Sequence, residues 1–130
     1  MNVADERWIE VEVEGLDGLA DGAALTFRFA RDGELQEGFV LRVGDERVAF
    51  RNRCPHWGTD LDMGTGEFWS PRLERIYCRT HGALFRVPDG LCDGGPCPGM
   101  RLERFDLVRE GDRGIVRVPA GSPPATGAED

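Results

Sequence analysis

Apolar and polar residues alternate in several short runs along the chain, and this alternation predicts β-strands. The clearest run, Trp8–Glu14, places acidic residues between apolar ones, as in a strand with one face in water. Nothing in the chain has the longer period of an amphipathic helix. The pattern, with glycine-containing turns between the runs, predicts an all-β fold, a sandwich or a barrel. The other predicted strands cover residues 25–29, 39–43, 47–51, 83–87, 104–109 and 115–118.

Length and charge set limits on the function. The 130 residues suffice for one domain whose core needs no disulfides. With 16 basic and 24 acidic residues the net charge is −8, so nucleic acid is not expected as a partner. No export signal or membrane-spanning stretch is recognisable, and a cytoplasmic location is expected. Residues 1–118 are predicted to form the domain, and residues 119–130 a disordered tail.

Two short motifs pair a cysteine with a histidine. They are Cys54-Pro-His56 and Cys78-Arg-Thr-His81, and they contain the only two histidines of the chain. Thiolate and imidazole in equal number suit an iron–sulfur cluster or zinc, and suit magnesium or calcium badly. Two cysteines with two histidines are the Rieske ligand set, in which imidazoles replace thiolates on one of two irons.

The motifs C-P-H-W-G, C-x-x-H-G-A-L-F and D-G-x-C-x-x-G-P-C follow one another in this order. Together they resemble the Rieske-type 2Fe–2S proteins, in particular the small soluble Rieske ferredoxins, over residues 38–118. The spacer between the two ligand pairs is longer than in the shortest of these ferredoxins. The resemblance implies a basal antiparallel β sandwich or barrel with an inserted cluster-binding subdomain, at about residues 53–99.

The resemblance also assigns the ligands of one Rieske-type 2Fe–2S cluster. It implies that Cys54 and Cys78 bind the inner iron, and that His56 and His81 bind the outer one. Neutral imidazoles leave the oxidised cluster less negative than four thiolates do. Reduction is therefore easier, and Rieske potentials lie between about −150 and +300 mV.

Side chains around the ligands are expected to set the potential within that range. High-potential relatives have hydroxyl side chains at the positions of Ala83 and Phe85, and this chain has none there. The resemblance places the half-cystines of their loop disulfide at Thr59 and Thr80, so that bridge cannot form here. A potential near the low end, around −150 mV or somewhat above, is predicted.

Further residues are expected to cover the cluster. Pro96 and Pro98 lie in a segment that resembles the proline loop of the family, which shields the cluster from water. Trp57 is interpreted as hydrophobic cover, with a place on the docking rim as the alternative. Cys92 and Cys97 are interpreted as small packing thiols, and a bridge between them is the alternative.

The resemblance implies an electron-transfer role. Both histidines are used as cluster ligands, and no Gly-x-Gly-x-x-Gly motif indicates a nucleotide domain, so a self-contained oxygenase or reductase is not expected. The predicted function is a one-electron carrier between a flavin reductase and a terminal oxygenase, not an enzyme on its own. The alternatives are a small Rieske subunit of a fixed complex, as in some nitrite reductases, and a zinc-binding structural module.

Overall fold

The computed structural model describes residues 7–55 and 58–121, and these residues form ten strands and no helix. The prediction of an all-β fold is confirmed. Within these ranges, no helix of the length and apolarity needed to cross a membrane is present. The strands are β1 (Trp8–Glu14), β2 (Ala24–Arg31), β3 (Glu34–Val43), β4 (Glu46–Arg51), β5 (Trp69–Ser70), β6 (Arg75–Tyr77), β7 (Leu84–Phe85), β8 (Cys92–Gly94), β9 (Arg104–Glu110) and β10 (Arg113–Pro119).

Six strands form a large antiparallel sheet in the order β1-β10-β9-β4-β3-β2. Its strands alternate buried and exposed residues, as the sequence pattern predicts. The two outermost strands, β1 and β2, also contact each other, so the sheet is nearly closed into a barrel. Strand β10 includes Pro119, the first residue of the predicted tail, and residues 122–130 of that tail lie outside the described residues.

Aromatic side chains fill the interior of the large sheet. Phe29 and Phe105 meet edge to face with ring centroids 5.6 Å apart, and Phe27 lies against both. Gly38 pairs with Phe27 across the strands, and a Cβ at Gly38 would lie only 2.4 Å from the Phe27 ring. The absence of a side chain at Gly38 therefore makes room for this ring.

A second, four-stranded antiparallel sheet has the order β5-β6-β7-β8. All four strands lie between β4 and β9 in the chain, so this sheet is an insertion in the large one. The rings of Phe39, from β3, and Phe68, next to β5, stack with centroids 3.9 Å apart. This stack belongs to a core that includes the ligand-loop cysteines Cys54 and Cys78 and joins the two sheets.

The strands differ from the predictions in several places. Strand β3 begins at Glu34, because a tight turn with positive φ at Asp32 and Gly33 folds its polar first half back on β2. Strand β7 is shorter than the predicted 83–87. Strands β5, β6 and β8 were not predicted, since two or three residues are too few to show an alternating pattern.

Candidate metal centre

The first predicted ligand loop follows β4 and folds back on its own cysteine. The N–H of Cys54 donates a 2.8 Å hydrogen bond to the Thr59 carbonyl. The Cys54 carbonyl accepts a 2.6 Å hydrogen bond from the N–H of Gly58. Gly58 has φ of 76°, a conformation that glycine adopts without steric cost. These two hydrogen bonds bring Gly58 and Thr59 back to Cys54.

The second loop, between β6 and β7, repeats this arrangement. The N–H of Cys78 donates to the Ala83 carbonyl at 2.9 Å, and the Cys78 carbonyl accepts from the N–H of Gly82 at 2.9 Å. Gly82 has φ of 77°, almost the value in the first loop. Both loops are therefore closed by the same pair of backbone hydrogen bonds and a glycine in the same conformation, although the histidine follows the cysteine by two residues in one and by three in the other.

The described ligand candidates differ in burial. The cysteines Cys54 and Cys78 are each only 1% exposed, whereas His81 is exposed at the surface. His56 and Trp57 lie outside the described residues. Two buried cysteines and one exposed histidine fit the ligand arrangement of a Rieske centre, in which thiolates bind one iron and imidazoles bind the other.

The two loops contact each other directly. The N–H of Arg79 donates a 2.9 Å hydrogen bond to the Leu61 carbonyl, and the hydroxyl oxygens of Thr59 and Thr80 lie 3.4 Å apart. These threonines occupy the positions at which the resemblance places the loop disulfide, so a contact between hydroxyls stands where the bridge would be. Among the described residues, which lack His56, no three Cys, His, Asp or Glu side chains lie close enough to share a single ion.

The segment that resembles the proline loop packs on the second ligand loop. A Cβ at Gly95 would lie 2.7 Å from both the Ala83 Cα and the Gly82 carbonyl oxygen, so backbone rests on backbone here. Pro96 and Pro98 are exposed on the outer side of this segment. The segment therefore packs on the second loop, and a side chain at Gly95 would displace it.

Ala83 and Phe85 are both fully buried in the core that contains the ligand cysteines. Ala83 is hydrogen-bonded to Cys78 through its carbonyl, as described above, and Phe85 pairs with Ile76 of β6. Neither side chain has a hydroxyl to donate. The prediction of a low reduction potential depends on the lack of a hydroxyl at these two positions, which lie beside the second ligand loop.

Cys92 and Cys97 are free thiols in the same core. The Cys97 Sγ donates to the Cys92 Sγ at 3.1 Å, and the Cys92 Sγ donates to the Gly94 carbonyl at 3.1 Å. Burial, together with the hydrogen bond to Cys92, raises the pKa of the Cys97 thiol above its ordinary value. Both residues are therefore packing thiols in this structure, and not a bridge.

Two buried polar residues next to the first loop were not predicted. Asn52 is 4% exposed and Asp62 is 2% exposed, and their side chains are hydrogen-bonded to each other. In the sequence they look like ordinary turn residues near the end of β4 and in the spacer. The only sign in the sequence that Asn52 matters for the site is that it lies two residues before Cys54.

A comparison with protein families identifies the class. The family model described as Rieske [2Fe-2S] domain matches residues 18–109. The chain therefore belongs to the Rieske 2Fe–2S domain family, as the motifs predicted, and its cofactor is a 2Fe–2S cluster and not a single zinc ion.

Individual relatives refine this assignment. The ferredoxin of carbazole 1,9a-dioxygenase from Nocardioides aromaticivorans IC177 is 32% identical, with a TM-score of 0.62 over 85% of this chain and 97% of that chain. A chain of a complex of reduced oxygenase and oxidized ferredoxin in carbazole 1,9a-dioxygenase is 25% identical, with a TM-score of 0.64 over 88% of this chain and 96% of that chain. The methylxanthine N1-demethylase NdmA of Pseudomonas putida is 39% identical over 72 residues, 52% of this chain but only 19% of the demethylase.

Proposed function

We propose that this chain is a Rieske ferredoxin that carries one electron at a time to a terminal oxygenase. The observation that carries the proposal is the pair of matched loops, with buried sulfurs at Cys54 and Cys78 and an exposed imidazole at His81. The similarity to a ferredoxin, of which the chain covers 97%, supports the role of an electron carrier.

In this proposal Cys54 and Cys78 hold the inner iron, and His56 and His81 hold the outer iron. When bound, the cluster supplies a one-electron redox couple whose potential the imidazole ligands raise. The chain excludes water from the sulfur side, because both cysteines lie in the core shared by the two sheets. His81 is the described ligand that a partner can approach from solvent.

The partner is inferred from the relatives. The similar ferredoxin described above belongs to a carbazole 1,9a-dioxygenase, and the second similar structure is a complex of oxygenase and ferredoxin from such a dioxygenase. We therefore infer a terminal oxygenase as electron acceptor and a flavin reductase as donor, in the cytoplasm. Docking at the face that exposes His81 would bring the redox centres of the two proteins close together.

The potential is inferred to be low for a Rieske centre, near about −150 mV. Hydrogen bonds to the sulfur atoms of such a cluster favour the reduced form, because reduction adds negative charge. Ala83 and Phe85 are buried beside the second loop and have no hydroxyl to donate. A midpoint above about +100 mV, well up the Rieske range, would contradict this inference.

The proposal is tested with anaerobically purified holoprotein. Reduced-state EPR should give the low average g value of mixed histidine and cysteine ligation, and protein-film voltammetry should give one reversible one-electron wave. Mixing the reduced protein with the oxidised oxygenase of carbazole 1,9a-dioxygenase, as a probe acceptor, should reoxidise the cluster. A stable stoichiometric complex with a large subunit of another kind, and no transfer to the oxygenase, would instead favour a fixed Rieske subunit.

A further inference from the structure

Asn52 and Asp62 link the two ligand loops through a continuous set of buried hydrogen bonds. We propose that Asn52 is a positioning residue for electron transfer, which sets with Asp62 the relative placement of Cys54 and Cys78. This inference rests on the proposed ligand set, and it adds two residues that are not themselves members of that set.

Both polar atoms of the Asn52 side-chain amide are hydrogen-bonded. Its Oδ1 accepts a 2.8 Å hydrogen bond from the N–H of Leu61. Its Nδ2 donates to the Asp62 Oδ1 at 3.1 Å and to the Glu37 Oε2 at 3.1 Å. The backbone N–H of Asn52 donates to the Glu37 carbonyl at 2.8 Å, which ties the residue to β3. Asn52 is therefore hydrogen-bonded both to the large sheet, through Glu37, and to the segment after the first loop, at Leu61 and Asp62.

Asp62 stabilises the same segment from the other side. Its Oδ2 accepts a 2.8 Å hydrogen bond from the N–H of Gly66. Its carbonyl accepts hydrogen bonds from the N–H and the hydroxyl of Thr65, at 3.0 and 2.8 Å. The turn at residues 62–66 is thereby closed around a buried carboxylate. Because Asp62 is only 2% exposed, its oxygens depend on these partners in place of water.

The connection to the second loop runs through Leu61. The Leu61 N–H is bound by Asn52, and the Leu61 carbonyl accepts the N–H of Arg79 at 2.9 Å. Asn52 stands two residues before Cys54, and Arg79 directly follows Cys78. The backbone of one residue, Leu61, is thus hydrogen-bonded to residues near both ligand cysteines. A shift of Leu61 changes where one cysteine stands relative to the other.

Removal of the Asn52 amide has a predictable local consequence. The Leu61 N–H and the Asp62 carboxylate would both lose a buried partner, and a buried polar group without a partner is unstable. The loop is expected to relax by admitting water, which solvates the additional negative charge of the reduced state. Asn52→Ala should therefore shift the midpoint potential upward, change the EPR g values and shorten the lifetime of the cluster.

The test compares Asn52→Ala with a matched control, Gln36→Ala. Gln36 is also a buried amide, but both ends of its side chain are hydrogen-bonded to Arg31, a residue of the large sheet that is in neither ligand loop. Cluster loss in air, followed by absorbance, is expected to be about tenfold faster in Asn52→Ala, equal to about 1.4 kcal/mol, and nearly unchanged in Gln36→Ala. The potential and the g values should move in Asn52→Ala alone. Equal changes in both variants, or none in Asn52→Ala, would overturn the proposal.

A charge-changing pair keeps the test decisive if Asn52→Ala does not fold. Asn52→Asp sets a carboxylate against Asp62 and Glu37, so it should lose the cluster fastest. Adding Asp62→Asn reverses the direction of the hydrogen bond, since the new amide can donate to the new carboxylate. Cluster lifetime and g values should then return toward those of the unmodified protein. A double variant no better than Asn52→Asp alone contradicts the proposal.

These experiments separate this inference from the proposed function. If the unmodified protein shows no Rieske-type EPR signal, the ligand proposal itself is wrong, and Asn52 has no cluster to position. If the unmodified protein shows that signal and the Asn52 variants keep its g values, potential and lifetime, only the positioning role is wrong.

Discussion

The two sheets of this protein are stabilised by different kinds of interaction. The large sheet consists of strands of six to ten residues, whose inward side chains form a core around Phe27, Phe29 and Phe105. The small sheet has strands of two or three residues, and the loops beside it depend on backbone hydrogen bonds and a buried polar link. The large sheet should therefore govern the stability of the fold, and the small one the properties of the cluster.

The largest expected effect separates the ligand cysteines from the packing cysteines. Cys78→Ser should abolish the visible absorption and the EPR signal of the cluster, because a ligand of the inner iron is lost. Cys97→Ser is the matched control, since Cys97 is also buried but donates only to Cys92. It should retain the cluster. Circular dichroism should show an intact β fold in the control, and loss of the cluster there would contradict the assignment.

Phe105→Ala tests whether the large sheet governs stability without affecting the cluster. Phe105 is 2% exposed in the core of the large sheet, and removal of a buried ring costs about 3–5 kcal/mol. Chemical denaturation should show that loss in the free energy of unfolding. The midpoint potential of the folded fraction should stay unchanged. A shift in potential as large as that in Asn52→Ala would mean that the two regions are not separable.

Gly95→Ala tests the contact between the proline-containing segment and the second ligand loop. The new Cβ would lie 2.7 Å from backbone atoms of that loop, so the segment must move, at a cost of about 1–3 kcal/mol. Gly99→Ala is the control, because Gly99 also has positive φ but has nothing within 4 Å of its added Cβ. Cluster loss in air should be faster in Gly95→Ala than in Gly99→Ala. Equal rates would show that backbone strain, and not the contact, matters.

Ala83→Ser should make a smaller change, in the potential alone. A hydroxyl at this buried position can donate toward the cluster and stabilise its reduced form. One hydrogen bond of about 1 kcal/mol corresponds to a rise of about 40 mV in a one-electron couple. Ala49→Ser, a buried position in β4 of the large sheet, is the control for adding a hydroxyl. Voltammetry on both variants should show a rise only at residue 83.

The smallest expected effect is a pH dependence at Asp89. The hydrogen bond from the Arg86 guanidinium lowers the pKa of Asp89 to about 2. Its usual value, about 3.9, applies in the unfolded chain, so the folded state gains stability above that pH and loses it as the pH falls toward 2. The melting temperature of Asp89→Asn should therefore lie slightly below that of the unmodified protein at neutral pH and converge with it in acid. A difference that is constant with pH would contradict this.

The sequence predicted more of the site than of the surrounding structure. Ligand pairs and the Gly-Pro segment are local motifs, so Cys54, Cys78 and His81 could be named without coordinates. The repeated hydrogen-bond pattern of the two loops could not be predicted, because the histidine spacing differs between them. Asn52 could not be identified either, since its partners Leu61, Asp62 and Glu37 come together only in the folded chain. Alternation predicted the long strands and missed β5 and β6, which are too short to show a period.

The central claim is that two imidazoles and two thiolates share the cluster, with nitrogen on one iron. The chain has only two histidines, so isotopic labelling of histidine nitrogen reports on His56 and His81 alone. Pulsed EPR of the reduced, labelled protein should show two coupled histidine nitrogens, and His81→Ala should remove one coupling or the cluster itself. A reduced cluster without any histidine nitrogen coupling would contradict the account.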